Sequence, residues 1–392
     1  MRTSVSLLGS TGSVGANVLK IIDKNKKNFK FDLFVANKNY RLICRQIKKY
    51  NPDHFIINDI EVYKKIKSKF KKKKIKILNN FTSFAPKKKT DITISAIPGI
   101  AGLQPTMSLT GQSKKILIAN KEAVICGWSL IKNIARKNKT KIIPIDSEHF
   151  SILKLIERHK KDDIKKIYIT ASGGPFLNYK LKQFKKIKPA DALKHPKWKM
   201  GKKISIDSST LMNKILELIE AQKLFNLPSH KLDILIHPNS LVHAIVQFKN
   251  GLTKFIYHET SMIIPLANAI FEKKLNIEDF YKCKKKNNSS PIQSLIFKKV
   301  NQSIFPVIKL KNRINEYPST SIIINAANEV LVEHFLQEKI PFLSIYKIIM
   351  TIMNDINYKK YAIREPKNIY QINNINLWAR NRTIEKIKLY NE

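Results

Sequence analysis

Val5-Ser6-Leu7-Leu8-Gly9-Ser10-Thr11-Gly12-Ser13-Val14-Gly15 is the stretch that decides the fold. Its first four residues read as a buried strand, and a helical run through Val18, Leu19 and Ile22 follows the last glycine. Strand, glycine turn and helix together are the context a dinucleotide fingerprint needs. Glycine lets the backbone approach a pyrophosphate, and a helix N-terminus supplies amide donors and a positive dipole end. The spacing is G-x-x-G-x-x-G, one residue longer between the first two glycines than the usual form. Three of the chain's eleven glycines fall within these seven residues. The alternative is a tight strand-to-helix turn that holds no ligand.

Working outward, the second strand is expected over residues 31–36, ending in Asn37-Lys38-Asn39. An NAD site wants an acid there for the ribose hydroxyl. A lysine between two amides suits a 2′-phosphate, so NADP is favoured. The basic run over 64–76 reads as a solvated helix face plus a turn. Further strands are expected at 91–96 and 116–119, the latter ending in Asn120-Lys121-Glu122. Polar residues at the carboxyl ends of such strands are candidate cofactor or substrate contacts. Strands alternating with helical patterns over 1–146 predict a Rossmann-like, doubly wound α/β domain.

The run Lys141-Ile142-Ile143-Pro144-Ile145 leads into Asp146-Ser147-Glu148-His149. On an extended backbone, side chains two apart face the same way, so Asp146 and Glu148 converge and Ser147 turns aside. Two carboxylates that close repel unless a cation or a proton intervenes. All-oxygen ligation implies Mg²⁺ or Mn²⁺ rather than Zn²⁺. The alternative is an ordinary loop whose acids face water.

A strand at 167–170 precedes Ser172-Gly173-Gly174, where Ser172 can offer a hydroxyl to an anion. A polar loop over about 182–203 contains His195, Trp198, Met200 and Gly201. Its Trp is either a packing anchor or part of a lid over a bound ligand. Ile204-Ser205-Ile206-Asp207 alternates like a strand, and Ser208-Ser209-Thr210 places hydroxyls at an expected helix start. On that helix Asn213, Lys214 and Glu217 share one face. Ser208, Asn213 and Lys214 form a candidate phosphate site at a helix N-terminus. Glu217 is a candidate third metal carboxylate. The competing reading of Lys214 and Glu217 is a surface ion pair, a role that suits Glu220 better. His243 either contacts the site or is a buried structural histidine. Near the C-terminus, Ser319 is an expected cap for a helix with Ile323, Ala327, Val330, Leu331 and Phe335 on its apolar face. Asn325 and Glu329 on that helix are buried supports or surface residues. Further helical runs at 342–353 and 377–389 suggest a small helical domain.

Composition bounds the alternatives. Hydrophobic content of 43% over 392 residues is that of a globular chain with two or three domains. The formal net charge of +44 raises the possibility of a nucleic-acid or anionic-membrane partner. The lysines, however, are scattered through every segment, with no Arg-rich arm, zinc-finger spacing or aromatic RNA-binding signature. Compositional drift explains them better than dedicated nucleic-acid binding, and the field still attracts anionic substrates. Cys44, Cys126 and Cys283 fit neither a disulfide framework nor a metal site, so a cytoplasmic setting is expected. The first strand begins almost at once, so no leader is expected. No apolar run reaches membrane-span length.

These motifs together resemble the 1-deoxy-D-xylulose 5-phosphate reductoisomerase family. The resemblance rests on GSTGSVG at 9–15, ANKE at 119–122, DSEH at 146–149 and SGGPF at 172–176. It continues through HPKWKMG at 195–201, DSSTLMNK at 207–214 with Glu217, HPNS at 237–240 and NAANE at 325–329. It implies rearrangement of 1-deoxy-D-xylulose 5-phosphate and reduction by NADPH to 2-C-methyl-D-erythritol 4-phosphate, in non-mevalonate isoprenoid synthesis. It implies that Asp146, Glu148 and Glu217 hold the metal, with Lys121 beside them in catalysis. Substrate would rest on Lys121, Ser147, Glu148, Ser172, His195, Ser208, Asn213, Lys214 and Glu217. NADPH would rest on Thr11, Gly12, Ser13 and Val14, on Asn37, Lys38 and Asn39, and on Asn120, Glu122 and Gly201. Trp198 and Met200 would belong to a mobile lid, and the enzyme would be a homodimer. Asn37 stands where the family usually has Gly, and Lys202 where Arg is common. The expected domains are 1–146 for NADPH, 147–272 for catalysis, 273–312 as linker and 313–392 as a helical domain. Two rivals remain: another Rossmann dehydrogenase of a phosphorylated substrate, with no need for the three carboxylates, and a basic nucleic-acid-binding protein.

Overall fold

The computed structural model describes residues 2–84, 86, 88–198, 200–272, 275–280 and 295–391. These form two compact units. The first draws on Met1–Ala123, Trp128–Phe150 and Ser261–Lys285, and the second on Val124–Gly127, Ser151–Thr260 and Lys286–Glu392.

In the first unit seven strands form one parallel sheet. They are β1 (Thr3–Leu8), β2 (Phe29–Ala36), β3 (His54–Ile57), β4 (Lys76–Leu78), β5 (Thr90–Ser95), β6 (Ser113–Ile118) and β7 (Lys141–Pro144). Their order is β4-β3-β2-β1-β5-β6-β7. Leu7, Leu8, Leu33, Phe34, Val35, Ile116 and Leu117 are fully buried. Such continuous apolar runs mark strands covered on both faces. The connecting helices are α1 (Ser13–Lys24), α2 (Tyr40–Tyr50), α3 (Ile60–Lys69), α4 (Leu103–Gly111) and α5 (Lys121–Asn138). After β7 comes α6 (Ser147–Ile156). The strand order reverses between β1 and β5, which opens a crevice at their carboxyl ends.

The second unit contains a mixed sheet ordered β11-β10-β8-β9-β12. Its strands are β8 (Ile164–Ala171), β9 (Leu232–Ile236), β10 (Val242–Phe248), β11 (Thr253–Tyr257) and β12 (Lys298–Lys299). Among the described residues of this sheet, β8 and β9 run parallel and the other pairs antiparallel. Its helices include α7 (Pro189–Ala192), α8 (Lys202–Thr210) and α9 (Met212–Phe225). After α10 (Ile263–Phe271), which belongs to the first unit, come α11 (Thr320–Leu336), α12 (Ser344–Met353), α13 (Tyr358–Ala362) and α14 (Ile369–Asn391).

Several details differ from expectation. Contacts group the chain differently from boundaries drawn along its order. Residues 261–272 belong with the dinucleotide sheet because Phe271 packs edge-on to Phe29 at 6.1 Å and Glu272 accepts from Lys115 and Lys141 at 3.1 Å each. The expected linker is structured where it is described: β12 pairs with β9, and Pro306–Asn312 is a 3-10 helix. Its residues 273, 274 and 281–294, with Cys283, lie outside the described residues. Residues 204–207 are helical, within α8, because four alternating residues cannot fix a period. Ser319 does not cap α11 with its side chain; its hydroxyl donates to the Arg364 carbonyl at 2.6 Å. Among the described residues no helix is long and apolar enough to cross a membrane.

Candidate functional site

The glycine turn is built by backbone. Gly9 has φ +83°, and a Cβ there would stand 2.6 Å from the Ala96 carbonyl oxygen. A Cβ on Gly15 would stand 2.4 Å from the Gly9 oxygen. The turn is held by Gly9 and Ser10 amides donating to Val35 O at 3.0 and 2.8 Å. Gln46 fixes it from α2, accepting from the Ser10 hydroxyl at 2.7 Å and donating to the Ser10 carbonyl at 2.8 Å. No side chain caps α1, so the turn presents helix-start amides to the crevice, with Gly12 and Ser13 exposed. This is a cradle that a larger side chain would fill, and it fits a dinucleotide pyrophosphate.

Asn37, Lys38 and Asn39 are exposed at the carboxyl end of β2, as a 2′-phosphate contact requires. The Asn39 side chain also caps α2, accepting from Leu42 N at 3.1 Å. Asn120 is chiefly a strut. Its oxygen accepts from Ala123 N at 2.8 Å, and its amide donates to the carbonyls of Ile97 and, at 3.0 Å, Gly99. It thereby ties the turn after β5 to the start of α5. Glu122 is buried in the first turn of α5. Gly201 is the N-cap residue of α8 in the second unit, with open space where a Cβ would be.

Asp146 and Glu148 come together by a different route from the one expected. Glu148 lies in the first turn of α6, not on extended chain. Asp146 sits just before it, its carbonyl accepting from Phe150 N at 2.8 Å and its Oδ1 from Glu148 N at 3.3 Å. A capping acid followed by an acid in the first turn suits the positive helix end. Carboxylate oxygens of Asp146 and Glu148 lie within 4.8 Å. Burial alone would raise the Asp146 carboxyl, but Lys121 and His149 outweigh it and hold it well below the usual range. Lys121 Nζ is 3.6 Å from Oδ2, and His149 Nδ1 is 3.3 Å from Oδ1. The Ser147 hydroxyl donates to Glu148 at 2.5 Å. Two carboxylate oxygens this close, with Asp146 held ionised, fit a hard divalent cation.

In the second unit a cradle of polar side chains surrounds the junction of α8 and α9. Ser208 lies in the last turn of α8, not at a helix start. Leu211, at φ +68°, ends that helix and precedes α9. Gly173 and Gly174 have φ of +85° and +62°, and a Cβ on Gly174 would stand 2.9 Å from the Ser208 carbonyl. The turn after β8 is therefore pressed against Ser208. Ser172 Oγ accepts from Gly174 N at 3.1 Å and lies 3.1 Å from His195 Nε2. His195 Nδ1 accepts from Trp198 N at 2.9 Å, which leaves the proton of the neutral ring on Nε2. Burial, then the Lys214 charge, lowers the His195 pKa to about 4. Lys214 bonds Glu217 at 2.8 Å, and Asn213 bonds the other Glu217 oxygen. Glu217 is 1% exposed, so the surface-pair reading fails. Glu220, assigned that surface role, is equally buried. His243 is buried and stacks on His258 at 3.9 Å, with the edge of Trp198 at 6.1 Å.

Sequence reasoning passed over Lys203, Asp207 and Asn328, which form a network, with Asp207 and Asn328 buried, at the residue before Ser208. Asp207 and Asn328 were quoted inside motifs, but nothing in their spacing pairs residues so far apart.

Comparison with known proteins agrees. Three family models match: "1-deoxy-D-xylulose 5-phosphate reductoisomerase" over residues 5–127, its "C-terminal domain" over 142–225, and "DXP reductoisomerase C-terminal domain" over 259–382. A 1-deoxy-D-xylulose 5-phosphate reductoisomerase of Pelagibacter ubique is 45% identical over 95% of this chain and 96% of that relative. One from a Wolbachia of Drosophila simulans is 39% identical over 89% of each. A crystal structure of DOX-P reductoisomerase with NADPH, fosmidomycin and magnesium superposes with a TM-score of 0.90 at 30% identity, covering 100% of this chain and 99% of that one. The Zymomonas mobilis enzyme with NADPH gives 0.86 at 29%, covering 99% of each. Motifs, fold and relatives converge: the chain belongs to the 1-deoxy-D-xylulose 5-phosphate reductoisomerase family.

Proposed function

We propose that this chain rearranges 1-deoxy-D-xylulose 5-phosphate and reduces the result with NADPH to 2-C-methyl-D-erythritol 4-phosphate, in non-mevalonate isoprenoid synthesis. The observation that carries the reading is the close Asp146–Glu148 carboxylate pair, with Asp146 held ionised, following a dinucleotide sheet in a chain so similar to reductoisomerases. Asp146, Glu148 and Glu217 are the proposed ligands of Mg²⁺ or Mn²⁺. All three are oxygen donors, the set a hard cation selects. When bound, such a cation supplies Lewis-acid polarisation of a ketone and its neighbouring hydroxyl, and NADPH supplies the hydride.

The chain's own residues bind, orient and exclude water. Lys121 keeps Asp146 anionic; it begins α5 and Ser147 begins α6, two helix starts where substrate oxygens can be met. Ser172, His195, Ser208, Asn213 and Lys214 take the phosphate, whose remote binding energy orients the reacting carbons. Neutral His195 offers its Nε2 proton to an anion while Nδ1 holds the Trp198 amide. Phosphate engagement is thereby linked to the loop carrying Trp198 and Met200, read as a lid that keeps water from the reactive intermediate. Thr11 to Val14 take the pyrophosphate, Asn37, Lys38 and Asn39 the adenosine side, and Asn120, Glu122 and Gly201 complete the NADPH contacts.

A homodimer in the cytoplasm completes the reading. The homodimer rests on the family resemblance. Cys44 and Cys126, both buried, suit a reducing compartment. The test is product identity. Incubation with 1-deoxy-D-xylulose 5-phosphate, NADPH and Mg²⁺ gives 2-C-methyl-D-erythritol 4-phosphate by mass and NMR spectra. Unchanged substrate, with folded protein that binds NADPH, would sink the proposal.

A further inference from the structure

One face of α11 carries a row of buried polar side chains. Ser321, Asn325 and Asn328 follow at i, i+4 and i+7, and none is more than 3% exposed. A buried polar group is costly unless it is answered. Asn328 is answered by Asp207: its Nδ2 donates to Oδ1 at 2.7 Å. Lys203 reaches the other oxygen at 3.0 Å. Asp207 is 1% exposed, so these two groups replace the water that its charge has lost.

Neither residue of the Lys203–Asp207 pair helps its own helix. Lys203 lies in the first turn of α8, at the positive dipole end, and Asp207 lies near the negative end. A lysine N-terminal to its acid is also the weaker order for an i,i+4 pair. The network must therefore serve something beyond α8. The residue after Asp207 is Ser208, whose carbonyl is packed against the Gly174 turn that carries Ser172. A buried carboxylate one residue from a phosphate ligand would repel a phosphate dianion unless it is neutralised and held aside.

We propose that Asn328 is a positioning residue for substrate phosphate. Together with Lys203 it neutralises and orients Asp207, and so sets the last turn of α8 and Ser208. This rests on the reading of Ser172, His195, Ser208 and Lys214 as the phosphate cradle. The C-terminal helix thus takes part in substrate binding without touching substrate.

The test uses the full chain, with inorganic phosphate as a competitive inhibitor. Asn328→Leu, with the same branching but no hydrogen-bonding group, raises both the phosphate Ki and the substrate KM about tenfold, with kcat and NADPH affinity within about twofold. Asn328→Asp, nearly isosteric, places a second carboxylate against Asp207 and raises both further. Its defect eases as pH falls and the acid pair takes up a proton, which a purely structural defect would not do. If both variants keep wild-type Ki and KM while Ser208→Ala raises Ki, the positioning role is wrong and the cradle stands. The role is equally contradicted if Asn328→Leu lowers the melting temperature and kcat with KM and Ki unchanged. If Ser208→Ala leaves the phosphate Ki unchanged, the underlying cradle reading fails first.

Discussion

The glycine turn at 9–15 and the cradle around Ser208 both suit phosphate groups, yet they are made of different material. The first is backbone. Gly9 and Gly15 matter for the Cβ they lack, and α1 supplies amides without a side-chain cap. The second is side chain. Ser172, His195 and Lys214 act through hydroxyl, ring and ammonium: Ser172 and His195 meet from separate segments, and Lys214 is held by Glu217 one helical turn on. A backbone site depends on local spacing, whereas a side-chain site depends on what the rest of its unit packs behind it.

The contrast can be broken by substitution, taking the largest expected effect first. Glu217→Gln removes a proposed metal carboxylate and should cut turnover about a thousandfold while NADPH affinity holds. A loss of NADPH binding in that variant would show the two regions are not separable. Gly15→Ala should weaken NADPH roughly thirtyfold, since the added carbon meets the Gly9 oxygen at 2.4 Å. Inhibition by inorganic phosphate should be untouched, and an equal loss of both would end the comparison. His195→Ala should raise substrate KM about tenfold, more than it lowers kcat, with NADPH affinity unchanged.

The smallest effect sharpens the side-chain half. Folded His195 titrates at about 4, against about 6.5 in an unfolded chain. Between those values the unfolded state binds more protons, so this residue's contribution to stability is whole above about 6.5 and fades as pH falls toward 4. Denaturant melts across that window should decline with falling pH in the wild type and less steeply in His195→Ala. Parallel slopes would remove His195 as the cause.

What the sequence disclosed follows the same division. The parallel sheet was legible because its strands are apolar runs bounded by turn residues, as at Leu7 and Leu117. Strand β4 has only three residues, and β3, though apolar at Phe55-Ile56-Ile57, has four, too few for a period to declare it. Asp146 and Glu148 were paired for the wrong geometric reason: their helix start could not be told from extended chain over four residues. Ser208 was placed at the wrong end of a helix because Leu211 breaks it at positive φ, which no residue type signals there. Asn328 was visible only as part of a motif. Its work depends on a hydrogen bond to a residue far upstream, which no local pattern encodes.

The most direct measurement is the loss of NADPH absorbance with 1-deoxy-D-xylulose 5-phosphate, in Mg²⁺ or Mn²⁺ and then in chelator, for wild type beside Glu217→Gln. Turnover by the wild type that stops with chelator and restarts with metal, and that is nearly absent in the variant, is the predicted result. Turnover that ignores chelator, or a variant as fast as wild type, would contradict the three-carboxylate reductoisomerase.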